Sequence, residues 1–129
     1  MEFLVVYIRE AHALDGAAPN GGNGAPIVEE PITFDERTNV ATTCAAKLDL
    51  SPMRTLIDGM DDATSAAYSS FPDRLFLVGQ DGKIAFAGGA GPRGFLPDDL
   101  EDAIRVALEL EPLERKETSR EERRGRRGR

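Results

Sequence analysis

Six consecutive residues near the start of the chain, Phe3-Leu4-Val5-Val6-Tyr7-Ile8, are apolar or aromatic, and five of them are β-branched or aromatic. The run has the length of a strand and no polar face, the pattern of a parallel strand covered on both sides. Strands of that kind occur in layered α/β domains, where helices supply the cover. The remainder of the sequence has to provide those helices and the partner strands.

It does so in a regular order. From Ala13 to Thr33 the chain is rich in Gly, Pro and Asn and has no period, so it reads as a long loop, a feature that in compact domains tends to be functional or mobile. Asp35 can cap a helix running to Leu48, with Val40, Cys44 and Leu48 on one stripe. Met53 to Ile57 reads as a short strand, and Asp61 and Asp62 open a helix reaching about Tyr68. Leu75 to Val78 is an apolar strand. The turn Gln80-Asp81-Gly82-Lys83 returns it antiparallel through Ile84 to Ala87. Pro97-Asp98-Asp99 starts a last helix with Leu100, Ile104 and Leu108 on one face. The order β-α-β-α-β-β-α is an α/β domain, and its second half has the plan of a thioredoxin-like sandwich. In that fold a proline before the third core strand is commonly cis and lines the active site, and Pro72 stands at that place. An ordinary trans proline ending the helix is the alternative.

Charge divides the chain. Residues 1–110 hold 8 basic and 18 acidic residues, whereas 111–129 hold 8 basic and 5 acidic residues and almost no apolar side chain beyond Leu113. We therefore read one domain over 1–110 and a disordered, charged Arg/Gly-rich tail over 111–129. The net charge of −7 and the lack of aromatic residues in the tail argue against a nucleic-acid partner. A single cysteine and a single histidine exclude a disulfide framework and a zinc site made of Cys and His alone, so no metal is expected. No apolar run approaches the ~20 residues that cross a bilayer, and Phe3–Ile8 behind Glu2 is too short for a signal core. The expectation is a reduced, cytoplasmic domain with no membrane span in this chain.

The segment Tyr7-Ile8-Arg9-Glu10-Ala11-His12, followed by Asp15-Gly16, resembles the iodothyronine deiodinase family, where a strand ends in Tyr-Ile-Glu-Glu-Ala-His before Ser-Asp-Gly. The resemblance continues in order through Asp58-Gly59-Met60-Asp61, Ala66-Ala67-Tyr68, Asp73-Arg74-Leu75-Phe76 and Gly88-Gly89-Ala90-Gly91-Pro92-Arg93-Gly94-Phe95. It implies a thioredoxin-like oxidoreductase that removes iodine from an aromatic substrate with a selenocysteine or cysteine nucleophile, needing no bound cofactor but an external thiol reductant. It also implies that Glu10 and His12 relay the proton that replaces iodine, and that Asp73 helps to hold the substrate. An imidazole exchanges a proton near neutral pH, and a neighbouring carboxylate sets its tautomer, which suits that role. Taken without the resemblance, His12 is a surface histidine with a charged neighbour.

Three departures bear on the substrate. Animal members carry Arg where Ala90 stands in the Gly-Gly-x-Gly-Pro loop, and an aromatic hydroxyl is replaced by Phe71. An arginine that pairs with a carboxylate is not replaced by a methyl group, so thyroid hormone itself is in doubt, and Arg93 is the nearest substitute. The third departure is larger. The family's nucleophile lies in a Thr-Sec/Cys-Pro-Pro-like motif ahead of the strand that begins here at Phe3. Cys44 follows the Glu10–His12 segment and lies mid-helix, where it reads as a core residue. A thioredoxin-like sheet without its first, central strand exposes two rows of unpaired backbone groups. The expectation is thus an N-terminally incomplete fold, first core strand and helix absent, inactive by itself. A homodimer formed through the open edge, a binding module without catalysis and a peroxiredoxin-like thiol enzyme fragment are the alternatives.

Overall fold

A computed structural model of the chain describes residues 1–19 and 27–114. The Gly-Asn-rich middle of the predicted long loop and the Arg/Gly-rich tail from residue 115 onward lie outside the described residues. The elements follow the predicted order: β1 (Leu4–Tyr7), α1 (Phe34–Lys47), β2 (Arg54–Ile57), α2 (Ala63–Tyr68), β3 (Phe76–Val78), β4 (Ile84–Ala87) and α3 (Pro97–Ala107). They form a mixed α/β fold of two compact units. One contains Met1–Leu75 and Gly88–Leu96; the other contains Phe76–Ala87 and the stretch that opens at Pro97.

In the first unit β1 and β2 pair in parallel, Leu4 opposite Arg54 through Tyr7 opposite Ile57, and the ladder continues as the Asp58 amide donates to the Tyr7 carbonyl at 2.8 Å. Alternation splits this ribbon into two faces. Val5, Tyr7, Thr55 and Ile57 are half-buried, with α1 packed against β2. Leu4, Val6 and Leu56 are 47%, 41% and 44% exposed. The expectation that Phe3–Ile8 is covered on both sides is therefore corrected: among the described residues only one face of β1 is sheltered, and only one edge of it is paired.

Helix α1 begins two residues earlier than expected. Thr33, not Asp35, is the N-cap; its hydroxyl accepts the Glu36 amide at 3.2 Å while Glu36 accepts the Thr33 amide at 3.2 Å, a reciprocal capping box. Asp35 sits in the first turn, where its charge suits the helix dipole. The inward face of α1 also differs from the predicted stripe. Arg37 and Ala41 are buried, Val40 and Cys44 are half-buried, and Leu48 is exposed because it is the C-cap, where the helix has already ended.

Arg37, only 2% exposed, ties α1 to the end of β2. Its Nη1 donates to the carbonyls of Asp58 (3.3 Å) and Gly59 (2.6 Å) and lies 2.9 Å from Asp62 Oδ1. Asp58, equally buried, receives the amides of Gly59 (3.0 Å), Thr64 (2.9 Å) and Ser65 (2.8 Å), and so caps α2 from outside that helix. Burial pushes the Asp58 carboxyl upward, but the hydrogen bonds from Ser65, Thr64 and Gly59 outweigh it and hold the group below the usual carboxylate range.

The second unit is a hairpin with a helix against it. β3 and β4 pair antiparallel, Phe76 opposite Ala87 and Leu77 opposite Phe86, with an irregularity between Leu77 and Val78. The turn is closed by the Gly79 amide on the Lys83 carbonyl (2.8 Å), and Gly82 takes φ +76°, which favours glycine. Helix α3 starts at Pro97 as predicted; Leu100 and Ile104 are half-buried on it, while Leu108 lies beyond the helix and is exposed.

Candidate active site

β1 ends at Tyr7, and the chain bends between Ile8 and His12 instead of staying extended. Simple alternation therefore does not place Glu10 and His12 side by side. What brings them together is the bend: a cavity of about 560 Å³ is lined by Val5 through His12, Ala18, Phe71, Pro72, Asp73 and Pro92. All of these belong to the first unit.

Each predicted acid–base residue has a partner other than its fellow. Glu10 accepts a hydrogen bond from the Tyr7 hydroxyl, a residue three back along the same segment. Burial raises the Glu10 carboxyl above its ordinary value, the charge of Glu30 raises it further, and His12 works weakly in the opposite direction. His12 Nδ1 lies 2.8 Å from the Ala18 carbonyl. A carbonyl can only accept, so Nδ1 carries the proton and Nε2 is left as the atom that exchanges one. Among the described residues no hydrogen bond joins Glu10 to His12.

The far wall comes from the segment after α2. The Phe71–Pro72 peptide is cis, as are Ser51–Pro52 and Gly91–Pro92. Asp73 lies against the 88–96 loop: the Gly91 amide donates to its carbonyl at 3.0 Å. The Asp73 carboxylate fills the space that a Cβ on Gly91 would take. Arg74 holds the same loop through its Nε, which donates to the Gly88 carbonyl. Arg93 is exposed and is not among the residues lining the cavity.

Two residues that sequence reasoning passed over belong to the site. Tyr7 is the hydrogen-bond donor to Glu10. Arg9 lies with its guanidinium carbon 4.2 Å from the centroid of the Phe71 ring. The signal for Arg9 was a basic residue in an otherwise acidic motif; Tyr7 read only as part of an apolar strand. Cys44 is half-buried, and burial followed by the charge of Glu10 pushes its thiol up, against Lys47. A thiol so placed is a poor nucleophile. No cluster of His, Cys, Asp and Glu among the described residues could hold a metal ion, and no helix among them is long and apolar enough to cross a membrane.

Comparison with known proteins gives one consistent match. Residues 1–109 match the sequence model of the iodothyronine deiodinase family. The chain is 33% identical over 100 residues to a thyroxine 5-deiodinase of Sparus aurata, covering 77% of this chain and 35% of that protein. It is 32% identical over 99 residues to a thyroxine 5-deiodinase of Gallus gallus, with 77% and 36% covered. A type I iodothyronine deiodinase of Xenopus laevis is 30% identical over 99 residues, with 77% and 37% covered. The chain spans about a third of the length of these relatives.

Proposed function

The chain belongs to the iodothyronine deiodinase family, and from that premise we propose that it is the proton-delivering portion of a thioredoxin-like reductive dehalogenase acting on a halogenated aromatic compound. The observation that carries the reading is the shared cavity of Glu10 and His12, with His12 Nδ1 held on a carbonyl and Nε2 left to exchange a proton.

The reaction replaces an aryl carbon–iodine bond by carbon–hydrogen. A selenolate or thiolate from a segment upstream of β1 attacks iodine and takes it as I⁺, leaving the electron pair on the ring carbon. His12 Nε2, after taking up a proton, delivers it to that carbon, with Glu10 in the same cavity as the reservoir. Two equivalents of an external thiol then reduce the chalcogen–iodine bond, yielding iodide, a disulfide and the regenerated nucleophile. Cys44, with its thiol pushed up by burial, takes no part. Asp73 and Pro72 shape the opposite wall for the substrate, and Arg93 acts only if the 88–96 loop turns it inward.

An upstream segment also accounts for the surface of the first unit. The edge of β1 that is unpaired among the described residues and the exposed Leu4, Val6 and Leu56 form the place where another strand and helix would pack. The test is the coding sequence ahead of Met1 together with the activity of the longer product. A Thr-Cys/Sec-Pro-like set within ~40 codons, the span of one strand and one helix with their loops, and iodide release by that product support the reading. A longer product that carries the motif and releases no iodide with any aryl iodide contradicts it.

A further inference from the structure

We propose that Arg9 anchors a carboxylate of the substrate, so that the ligand is an aromatic acid whose ring occupies the apolar cavity. The halogen on that ring rests on the reading above; the recognition of the charge rests on Arg9 alone.

The guanidinium of Arg9 is stacked over Phe71 at 4.2 Å. A guanidinium lying on a ring face keeps its N–H edges free, and that planar fork matches a carboxylate. Among the described residues no carboxylate comes within ion-pair distance of Arg9; Glu30 feels its charge only at longer range. Two other arginines of the first unit are differently engaged. Arg37 is buried on Asp62 and two backbone carbonyls, and Arg74 is spent on the carbonyls of Gly88, Tyr68 and Ser69.

Arg9 also lines a second hollow, of about 460 Å³, on the side of Asp61 and Ser69, so its head group stands between two openings. The carboxyls that could compete for it on the cavity side are already placed: Glu10 receives the Tyr7 hydroxyl, and Asp73 lies against Gly91. In the family motif the matching position is acidic. The change to Arg puts a cation at one point of a cavity wall that also holds Glu10 and Asp73, and so supplies a place on it that attracts an anion.

The experiment titrates the 129-residue chain with 4-iodophenylacetate and with 4-iodophenylacetamide, which differ only in charge, by calorimetry at low salt. The acid should bind about 10-fold more tightly than the amide, the range of one charge-assisted contact at a partly open site. Arg9→Gln should reduce the acid to the affinity of the amide and leave the amide unchanged, whereas Arg9→Lys should retain part of the preference. Equal affinities for acid and amide, a preference that survives Arg9→Gln, or no binding of either compound at millimolar concentration overturns the proposal. Iodine-free phenylacetate and its amide separate the two readings. A preserved acid preference with no gain from iodine supports the role of Arg9 and removes support for a halogenated substrate.

Discussion

His12 Nδ1 lies 2.8 Å from the carbonyl oxygen of Ala18, a bond that fixes which ring nitrogen holds its proton. The neutral imidazole should therefore be the Nδ1–H tautomer, with Nε2 as the exchanging atom. Nitrogen-15 NMR of ring-labelled protein reads this directly. A dominant Nε2–H tautomer would show that the carbonyl contact does not orient the ring.

Gly91 is required by Asp73, whose carboxylate occupies the space of the missing Cβ. Gly91→Ala should cost roughly 1–3 kcal/mol, the range for overpacking, because the Asp73 carboxylate has to leave the space the methyl takes. Combining it with Asp73→Ala should recover a good part of that loss. Urea denaturation of the two variants measures it; additive losses would mean that the two residues do not compete for the same space.

Asp58 holds the start of α2, and its folded-state carboxyl is depressed by the hydrogen bonds it receives, which win over burial. A depressed carboxyl stabilises the fold fully above its unfolded value, ~3.9, and loses that contribution as pH falls through the lower folded value. Asp58→Asn places an amide donor opposite backbone donors and should cost about 2 kcal/mol at pH 7. The gap to the unaltered protein should begin to narrow below about pH 4 and vanish only below the depressed folded-state value. A gap that does not depend on pH would argue that the carboxylate is not the stabilising form.

Glu10 has the opposite sign. Burial, then Glu30, raises its carboxyl in the folded state, so the ionised form costs stability at neutral pH and the cost disappears as pH falls toward the unfolded value of ~4.3. Glu10→Gln keeps an acceptor for the Tyr7 hydroxyl and should be more stable than the unaltered protein at pH 7, with no difference near pH 4. Thermal melts across that range check the slope; a Gln variant that is less stable at pH 7 contradicts the assignment.

Much of this was readable from residue order. The Asp81-Gly82 turn gave the hairpin, and Pro97 gave the start of α3. The element sequence followed from where apolar runs meet Gly, Pro and Asp. What escaped was set by contacts between segments distant in sequence. Arg37 looks like a solvated helix residue until Gly59 and Asp62 are brought to it, and Thr33 displaced Asp35 as the cap only because Glu36 answers it three residues on. Both-sided burial of Phe3–Ile8 was inferred from apolarity, which tells what a strand tolerates and not what lies beside it. At the site, Glu10 and His12 were found by motif. Their actual partners, Tyr7 and Ala18, depend on a bend that an alternating pattern does not disclose.

The most direct test of the central claim is iodide release from an aryl iodide by the product extended through the upstream nucleophile, with a dithiol as reductant, measured with and without His12→Ala. Delivery of the proton from this cavity predicts turnover in the extended protein and a fall of about 100-fold or more in the variant, the span of general-acid catalysis, with its circular dichroism unchanged. Turnover that is the same with Ala at position 12 would contradict it.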